Sequence, residues 1–304
     1  MDVSVIYVNY KTSRLCADSI QSVLEKTDGL RYEIIVADNN SEDGSAEFLS
    51  QTFGDTVKII SLAENIGFGR ANNVAIETAA GEFVFLLNTD TLLVNNAIKI
   101  LYDFIKTDDT IGVVGGNLYD KEMRPNHSFH RKVGLTEYNL FHLYWKMFRR
   151  KLCKKREDFN YSQKSKAVDM ITGADMLVRK SVLDKTGGFD PDFFMYSEDA
   201  ELSYRIRKVG YKIISVPQAK IIHYGGMSFD GGAFNERRYA KSFEGSLLYY
   251  QKTRSARYAE KFAKKYKRAL WWRTFYRKKS IRQEAAIMKR LLNEELQKQK
   301  NRSH

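Results

Sequence analysis

Residues 83–90 read FVFLLNTD: five apolar residues are followed by Asn88, Thr89 and Asp90. The apolar run has the length and composition of a short β-strand that is buried on both faces. The polar residues come directly after it, where this strand would end. In sheets of parallel strands joined by helices, ligands bind at the carboxyl ends of the strands. The stretch therefore predicts a strand that presents the Asp90 carboxylate to a ligand.

The sequence on both sides of this stretch repeats the pattern. Apolar strand candidates alternate with amphipathic helix patterns, which predicts an α/β fold with a mostly parallel, Rossmann-type sheet and helices on both of its faces. The predicted strands are residues 3–8, 32–37, 57–62, 83–87 and 211–216, with 221–223 as a further short strand. The predicted helices include one with apolar residues between 15 and 24, and those at 70–80 and 197–209, the last with Val209 in its apolar stripe.

Composition excludes several classes of protein. The chain has 304 residues, of which 43% are hydrophobic and 29% charged, so it can bury a sizeable core and is not disordered throughout. Its two cysteines, Cys16 and Cys153, cannot form a disulfide framework, and we expect a reducing compartment. The N-terminus lacks a signal-peptide pattern, and no apolar stretch has the length of a membrane span. We therefore expect a cytoplasmic protein.

The net charge of +13 comes from the C-terminal part of the chain. Residues 1–235 contain 29 Lys and Arg against 31 Asp and Glu, whereas residues 236–304 contain 21 against 6. A nucleic-acid-binding protein would be expected to have a basic body. The distribution argues against a nucleic-acid partner and directs attention to what the basic segment contacts.

The basic segment 236–304 predicts amphipathic helices. Apolar residues recur at helical spacing in two stripes, and the pair Trp271-Trp272 follows the first. Helices of this kind bind anionic membrane surfaces, with their aromatic residues at the level of the headgroups. The alternative is a helical hairpin that packs on the protein itself and exposes its basic face. The two stripes are Tyr258, Phe262, Tyr266, Ala269 and Leu270, and then Ile281, Ala285, Met288, Leu292 and Leu296.

Asp90 has the chemistry of a metal ligand. A carboxylate at a strand end suits a hard divalent cation that keeps several waters and bridges to substrate phosphates. His223 follows another predicted strand and becomes a second ligand if the fold brings it to Asp90. A turn or capping role for Asp90, and a plain hydrogen-bonding role for His223, stay open at this point.

Two other stretches carry candidate chemistry. Asp199 follows Glu198 in the first turn of the predicted helix 197–209. The aromatic residues of FFMY at 193–196 come just before this pair and can shield a carboxylate, which tunes it as a general base. Acidic residues also favour helix N-termini through the helix dipole, which is the structural alternative. The stretch NIGFGRANN at 65–73 has two glycines that allow close backbone approach, and Arg70 near a helix start suits a phosphate. A plain glycine turn is the alternative there.

Taken in order, these motifs resemble an inverting family-two glycosyltransferase with the GT-A fold, of the bacterial rhamnosyltransferase-like branch that builds surface polysaccharides. The resemblance covers residues 2–230. It rests on Asn9-Tyr10 after the first strand, ADNNS at 37–41, NIGFGRANN at 65–73, LNTDT at 87–91, Gly173-Ala174, GGFD at 187–190, FFMYSED at 193–199 and IHYGG at 222–226.

The resemblance implies a role for each candidate residue. Asp38 would hydrogen-bond the pyrimidine base of the donor, and Asn88 stands where the first aspartate of the Asp-x-Asp motif would be. Asp90 and His223 would hold Mg²⁺ or Mn²⁺, and Asp199 would be the catalytic base. The implied nucleotide-sugar site comprises Asn9, Tyr10, Asp38, Asn65, Gly67, Arg70, Asn88 and Asp90.

The implied reaction moves a sugar from a nucleoside-diphosphate donor to a hydroxyl of a glycan or lipid-linked saccharide, with inversion. The favoured donor is dTDP-L-rhamnose, with a UDP-hexose next. The implied organisation is a nucleotide-sugar-binding half at 1–120, an acceptor-binding and catalytic-base half at 121–235, and the basic helical tail at 236–304. We expect the enzyme to be peripheral on the cytoplasmic face of the inner membrane. The oligomeric state stays open.

Two other functions stay open on the sequence alone. A non-catalytic carbohydrate-binding or scaffold protein on the same fold is favoured by Asn88, which removes one charged ligand. A sugar-nucleotide pyrophosphorylase would share the sheet and the metal chemistry. That class needs a glycine-rich, basic loop after the first strand, and the stretch NYKT at 9–12 is not one.

Overall fold

The computed structural model describes two compact units within the chain. The domain boundaries expected at 120 and 235 stay a prediction. The described residues are 1–130, 156–225, 235–275 and 279–302. Unit 1 comprises residues 1–130, 156–194 and 198–225, and unit 2 comprises 195–197, 235–275 and 279–302.

Unit 1 is built on one large sheet and one small one. Among the described residues, the large sheet has nine strands, in the order β3-β2-β1-β4-β10-β6-β11-β5 with β8 beside β11, and β7 pairs with β9 in the small sheet. The strands are β1 (Val3–Asn9), β2 (Tyr32–Asp38), β3 (Val57–Ser61), β4 (Phe83–Leu87), β5 (Thr91–Leu93), β6 (Ile111–Tyr119), β7 (Phe129–His130), β8 (Lys166–Ala167), β9 (Met170–Ile171), β10 (Asp175–Arg179) and β11 (Lys212–His223).

The sheet combines a parallel half with a mixed half. Strands β1, β2, β3 and β4 run parallel, as their apolar runs and intervening helices predict. Strand β10 runs antiparallel between β4 and β6, and Asp175 stands opposite Leu87. This direction brings the residues before β10 beside the end of β4, where the polar motif begins.

Helices cover both faces of this sheet, so its central strands β1 and β4 are buried on both sides. Val5 and Tyr7 of β1 face a core that the first two and the fourth helices cover, whereas Ile6 faces the core on the other side. Burying one such side chain fully contributes about 1.5–3 kcal/mol. The helices of unit 1 are α1 (Ser13–Lys26), α2 (Ser45–Phe53), α3 (Phe68–Glu77), α4 (Ala97–Ile105), α5 (Lys180–Thr186) and α6 (Glu198–Lys208).

The predicted α/β fold and its strand positions are confirmed, with two corrections. The runs predicted as separate strands at 211–216 and 221–223 form the single strand β11, whose pairing with β6 shifts register between Ser215 and Lys220. Pro217 lies in this irregular part, because a proline cannot donate a ladder hydrogen bond. Val209 does not belong to the buried stripe of α6: its side chain is 41% exposed, after the helix has ended at Lys208.

Within the described residues, unit 2 has three helices, each of which packs on the other two: α7 (Glu236–Thr253), α8 (Ala256–Arg273) and α9 (Lys279–Arg302). The predicted apolar stripes face into this packing. Phe262 is buried, with its ring centroid 4.8 Å from that of Tyr250, and Leu292 is fully buried as well. The stripes therefore contact neighbouring helices. None of the helices, as far as the structure describes them, is long and apolar enough to cross a bilayer.

A buried chain of hydroxyl groups joins three elements beneath the strand ends. The Tyr7 hydroxyl lies 3.0 Å from the Ser19 Oγ of α1, and Ser19 lies 3.1 Å from the Thr91 Oγ1 of β5. Thr91 in turn donates to the Asn88 carbonyl at 2.7 Å. Because all three hydroxyl side chains are fully buried, each needs a partner inside the protein.

Ser19→Ala is expected to destabilise the protein by about 1–3 kcal/mol, because it leaves the buried Tyr7 hydroxyl unpaired. Tyr7→Phe should cost less, since Ser19 keeps its contact with Thr91. Adding Tyr7→Phe to Ser19→Ala should then cost little more, because no orphaned hydroxyl is left. Urea unfolding of the four proteins measures this cycle. Strictly additive losses would contradict the pairing.

Candidate active site at the strand ends

The ends of β1 and β2 meet in a buried hydrogen-bond network. The Asn9 side-chain amide donates to the Asp38 carboxylate at 2.6 Å and to the Ser41 hydroxyl at 3.1 Å. Ser41 returns two hydrogen bonds to the same carboxylate, one from its Oγ at 2.6 Å and one from its backbone N–H at 3.0 Å. Both predicted donor-site residues are therefore fixed in position by the protein itself.

The network extends to the neighbouring polar loops. Thr12 donates to Asn9, and its hydroxyl lies 3.0 Å from that of Thr89 in the motif after β4. On the other side, the Asn39 amide donates to the Asn65 carbonyl oxygen at 3.1 Å. The polar ends of β1, β2 and β4, and the loop before α3, thus form one connected edge of the sheet.

Asp90 and His223 are in direct contact. The Asp90 Oδ1 lies 3.3 Å from the His223 Nε2, and the Asp90 side chain is buried. Pairing of β5 with β11 sets His223 opposite Thr91, and the Tyr224 N–H donates to the Asp90 carbonyl at 3.0 Å. The fold thus brings these two side chains together, and their role as metal ligands stays a prediction.

This pair fits a divalent cation that is bound together with a substrate. Neighbouring ligands of an octahedral ion, each about 2.1 Å from it, lie about 3 Å apart, close to the observed separation of the two atoms. No group of three or more His, Cys, Asp or Glu suited to a metal occurs in the described residues. Two protein ligands suit Mg²⁺ or Mn²⁺, whose other positions water and phosphate oxygens fill.

Asp199 is anchored to the residues that lie beside the metal-ligand candidates. Its Oδ2 accepts the Gly173 N–H at 3.0 Å and its Oδ1 accepts the Ala200 N–H at 2.8 Å. The next residue, Ala174, accepts the Asn88 N–H at 3.1 Å. Two successive residues before β10 therefore hold the predicted base next to the motif at the end of β4.

The carboxyl groups of Glu198 and Asp199 are both buried and interact electrostatically. Burial and the neighbouring Asp199 charge raise the pKa of Glu198 from 4.5 to about 8, and its Oε2 has no hydrogen-bond partner among the residues that the structure describes. Burial also raises the pKa of Asp199, but the two backbone N–H groups and the charge of His127 oppose the rise. The Asp199 carboxylate accepts the N–H groups of Gly173 and Ala200, whereas the N–H group that lowers the pKa of Glu198 is its own. Glu198 is therefore the carboxyl group that holds its proton near neutral pH.

The two glycines of the 65–73 stretch are used for contacts within the protein. Gly67 has φ +90°, and a Cβ built on it would lie 2.4 Å from the Phe194 carbonyl oxygen. Arg70 donates from its Nε to the Pro191 carbonyl at 2.7 Å, and Asn73 exchanges two hydrogen bonds with the Phe189 backbone, each 2.8 Å long. Helix α3 is thereby joined to residues 187–194, the segment that leads towards the acidic pair.

The structure thus brings most of the predicted site residues to one edge of the sheet, although it fixes them in different ways. Tyr10 is exposed beside the network, with the Lys11 ammonium 5.5 Å from its ring centroid. Ser41 and Gly173 lie in motifs quoted above, but no role was predicted for either residue. The Asp-x-x-Ser spacing of 38–41 was a usable signal for Ser41, because Asp carboxylates accept local backbone N–H groups. Nothing in the sequence pairs Gly173 with Asp199.

The fold of unit 1 is that of the GT-A glycosyltransferases. A mannosyltransferase from Pyrobaculum calidifontis, solved with GDP-Man and Mn²⁺, matches with a TM-score of 0.58 and 18% identity over 94% of this chain and 73% of its own. The Staphylococcus aureus protein TarS 1-349, solved with UDP, matches with a TM-score of 0.54 and 17% identity over 90% of this chain and 73% of its own.

The family model described as "Glycosyltransferase like family 2" matches residues 2–243, and the chain belongs to this family. It is 25% identical over 205 residues to the N-acetylglucosaminyl-diphospho-decaprenol L-rhamnosyltransferase of Mycobacterium tuberculosis, covering 63% of this chain and 66% of the relative. It is 28% identical over 221 residues to the poly-beta-1,6-N-acetyl-D-glucosamine synthase of Staphylococcus epidermidis, covering 71% of this chain and 48% of the relative. The matches thus span about two thirds and about half of these relatives.

Glu198→Gln is expected to raise the melting temperature by several degrees at pH 8 and to change it little near pH 4.5. The folded-state pKa lies above the unfolded one, so Glu198 favours the folded state at low pH and loses this contribution as the pH rises from 4.5 through 8. Melting curves across this pH range measure the difference. Glu201→Gln in the same helix is the matched control, because it removes the partner of Arg205 and should destabilise instead. A difference that does not vary with pH would contradict this account of Glu198.

Gly67→Ala is expected to destabilise the protein by at least about 2 kcal/mol, because it adds a steric clash to an unfavourable backbone conformation. Gly44→Ala is the matched control: its φ is +79°, but no atom lies within 4 Å of the added Cβ. This control should cost about 1 kcal/mol. Chemical unfolding measures both variants, and equal losses would disprove the contact with Phe194.

Proposed function

We propose that the protein is a metal-dependent glycosyltransferase that moves a sugar from a nucleoside-diphosphate donor to an acceptor hydroxyl with inversion. One observation carries the proposal: the Asp90 carboxylate and the His223 imidazole meet 3.3 Å apart at the strand ends, beside the anchored Asp199. A bound Mg²⁺ or Mn²⁺ would supply positive charge to the diphosphate as it leaves the sugar. Membership of the glycosyltransferase family supports this proposal.

Asp199 is the proposed catalytic base. An acceptor hydroxyl is a weak nucleophile, and it needs a base to take its proton as its oxygen bonds to the anomeric carbon. In the same step the bond from that carbon to the diphosphate oxygen breaks, so the anomeric centre inverts without a covalent enzyme intermediate. The raised pKa of Asp199 makes it a stronger base than an exposed carboxylate, while its two N–H donors keep its oxygens in place.

The donor is proposed to be dTDP-L-rhamnose, with a UDP-hexose next. Similarity to a mycobacterial rhamnosyltransferase supports the first choice, and similarity to an N-acetylglucosamine polymer synthase supports the second. Asn9, Tyr10 and Asp38 are the proposed residues around the pyrimidine base, with Asn65, Gly67, Arg70 and Asn88 along the rest of the donor. Asp38 alone does not distinguish thymine from uracil, because both bases present the same hydrogen-bonding edge.

We also propose that the enzyme works at an anionic membrane surface, on the cytoplasmic face of the inner membrane, with a glycan or lipid-linked saccharide as acceptor. The excess of Lys and Arg in 236–304 supports attraction to anionic lipid. The name of the mycobacterial relative includes a decaprenol-linked saccharide, which would place acceptor and enzyme at one surface.

The proposal predicts that dTDP or UDP raises the melting temperature of the protein and that Mn²⁺ strengthens the effect, because a ligand that binds only the folded state stabilises it. Asp90→Ala should abolish the metal-dependent part of the shift. Asp199→Asn should keep the shift but slow sugar transfer by about a hundred- to ten-thousand-fold. The panel comprises UDP, dTDP, GDP and ADP, each with and without Mn²⁺, followed by nucleotide release from the matching sugar donors.

Asp18→Ala is the matched control for this experiment, because Asp18 is an exposed aspartate of α1 with no candidate role. It should behave like the parent protein throughout. A nucleotide-induced rise in melting temperature that changes neither with Mn²⁺ nor in Asp90→Ala would rule out the metal site. The absence of any nucleotide shift would favour the non-catalytic function instead.

A further inference from the structure

Three aromatic side chains form an exposed cluster at the end of α8. Trp271, Trp272 and Phe275 are 45%, 49% and 65% exposed. The ring centroids of the two tryptophans lie 5.0 Å apart. The Phe275 ring centroid lies 4.8 Å from that of Trp271 and 6.2 Å from that of Trp272. Tryptophan and phenylalanine are costly to leave in water, so a contiguous group of three marks an interaction surface. We call these three residues the aromatic cluster.

Within the described residues, the aromatic cluster lies away from the side of α8 that is buried in unit 2. The opposite side of α8 supplies the buried residues Ala259, Phe262, Ala263 and Leu270, which contact the other two helices. The apolar stripe that the sequence suggested as a lipid-binding face is therefore already buried by protein. What α8 leaves exposed is a different surface.

Basic residues lie along this exposed side of the helix. Lys264, Arg268 and Trp272 are four residues apart, as are Lys267 and Trp271, so these five side chains share one side of α8. Phe275 follows two residues after the end of the helix. Lys264, Lys267 and Arg268 are exposed. From residue 261 to residue 283 the chain has ten Lys and Arg and no Asp or Glu.

We propose that the aromatic cluster and the exposed Lys264, Lys267 and Arg268 form a docking surface for anionic lipid headgroups. The tryptophan rings would lie at the level of the headgroups and the cations would pair with lipid phosphates. Two copies of the chain would bring like charges together at this surface, which disfavours self-association through it. The inference rests on the membrane association proposed above and does not depend on sugar transfer.

The test is flotation of the full chain with vesicles of phosphatidylglycerol and phosphatidylcholine in equal parts, compared with phosphatidylcholine alone. The parent protein should bind the anionic vesicles, and high salt should weaken the binding. The triple variant Trp271→Ser, Trp272→Ser, Phe275→Ser should lose at least about tenfold in partitioning. The variant Lys264→Gln, Lys267→Gln, Arg268→Gln should lose at least about tenfold on anionic vesicles.

Two matched controls remove equivalent groups elsewhere. Phe48→Ser removes an exposed aromatic residue of α2, and Lys58→Gln with Lys121→Gln and Lys208→Gln removes three exposed cations of unit 1. Both should bind vesicles like the parent. In a Trp145→Phe background, Trp271 and Trp272 are the remaining tryptophans, and brominated lipid should quench their emission.

Several results would overturn the proposal. They are parental binding by the aromatic variant, no vesicle binding by the parent, and loss of self-association rather than of lipid binding in that variant. Melting curves of the variants check that they are folded. The Mn²⁺-dependent rise in melting temperature with nucleotide should persist in both the aromatic and the basic triple variant. Failure of the membrane-surface proposal and failure of the transferase proposal therefore give different results.

Discussion

Two neighbouring backbone groups before β10, the N–H of Gly173 and the carbonyl of Ala174, determine the arrangement of the candidate site. One holds the Asp199 carboxylate and the other holds the backbone of Asn88. They stand there because β10 runs antiparallel to β4 in the middle of the sheet. A parallel strand in that place would begin at the opposite edge, far from the motif that follows β4. The direction of one strand thus brings together the proposed base and the proposed metal-ligand pair from distant parts of the sequence.

The donor side of the site depends on satisfied hydrogen bonds. Asn9, Asp38 and Ser41 are buried together, and each polar group has a partner. A buried carboxylate without such partners would be protonated or would destabilise the fold. Glu198 is the counterexample in the same unit: its buried Oε2 has no partner in the described part of the chain, and burial raises the pKa of this side chain to about 8. The two carboxyl groups show how the surroundings decide which one carries charge.

Much of this arrangement could be predicted from local sequence patterns. The strands of the parallel half are apolar runs with helices between them, and their polar ends indicated Asn9, Asp38 and Asp90 correctly as residues of one edge. Strand β11 was harder, because Pro217 interrupts the pattern of a strand that continues beyond it. The stripe around Phe262 shows another limit: helical spacing identifies an apolar face, but not whether lipid or a neighbouring helix covers it. The burial of Glu198 depends on tertiary packing, which an acidic first turn does not reveal.

The contacts between α3 and residues 187–194 have a consequence for how this enzyme can change during evolution. Arg70, Asn73 and the Phe68 N–H bind the backbone of that segment, at Pro191, Phe189 and Phe194. A backbone shift in the segment therefore displaces the start of α3, beside the loop that is proposed to bind the donor. Under the proposed function, preference for the donor sugar and preference for the acceptor hydroxyl are therefore mechanically linked in this chain. Changing one while keeping the other requires compensating substitutions on both sides of these contacts.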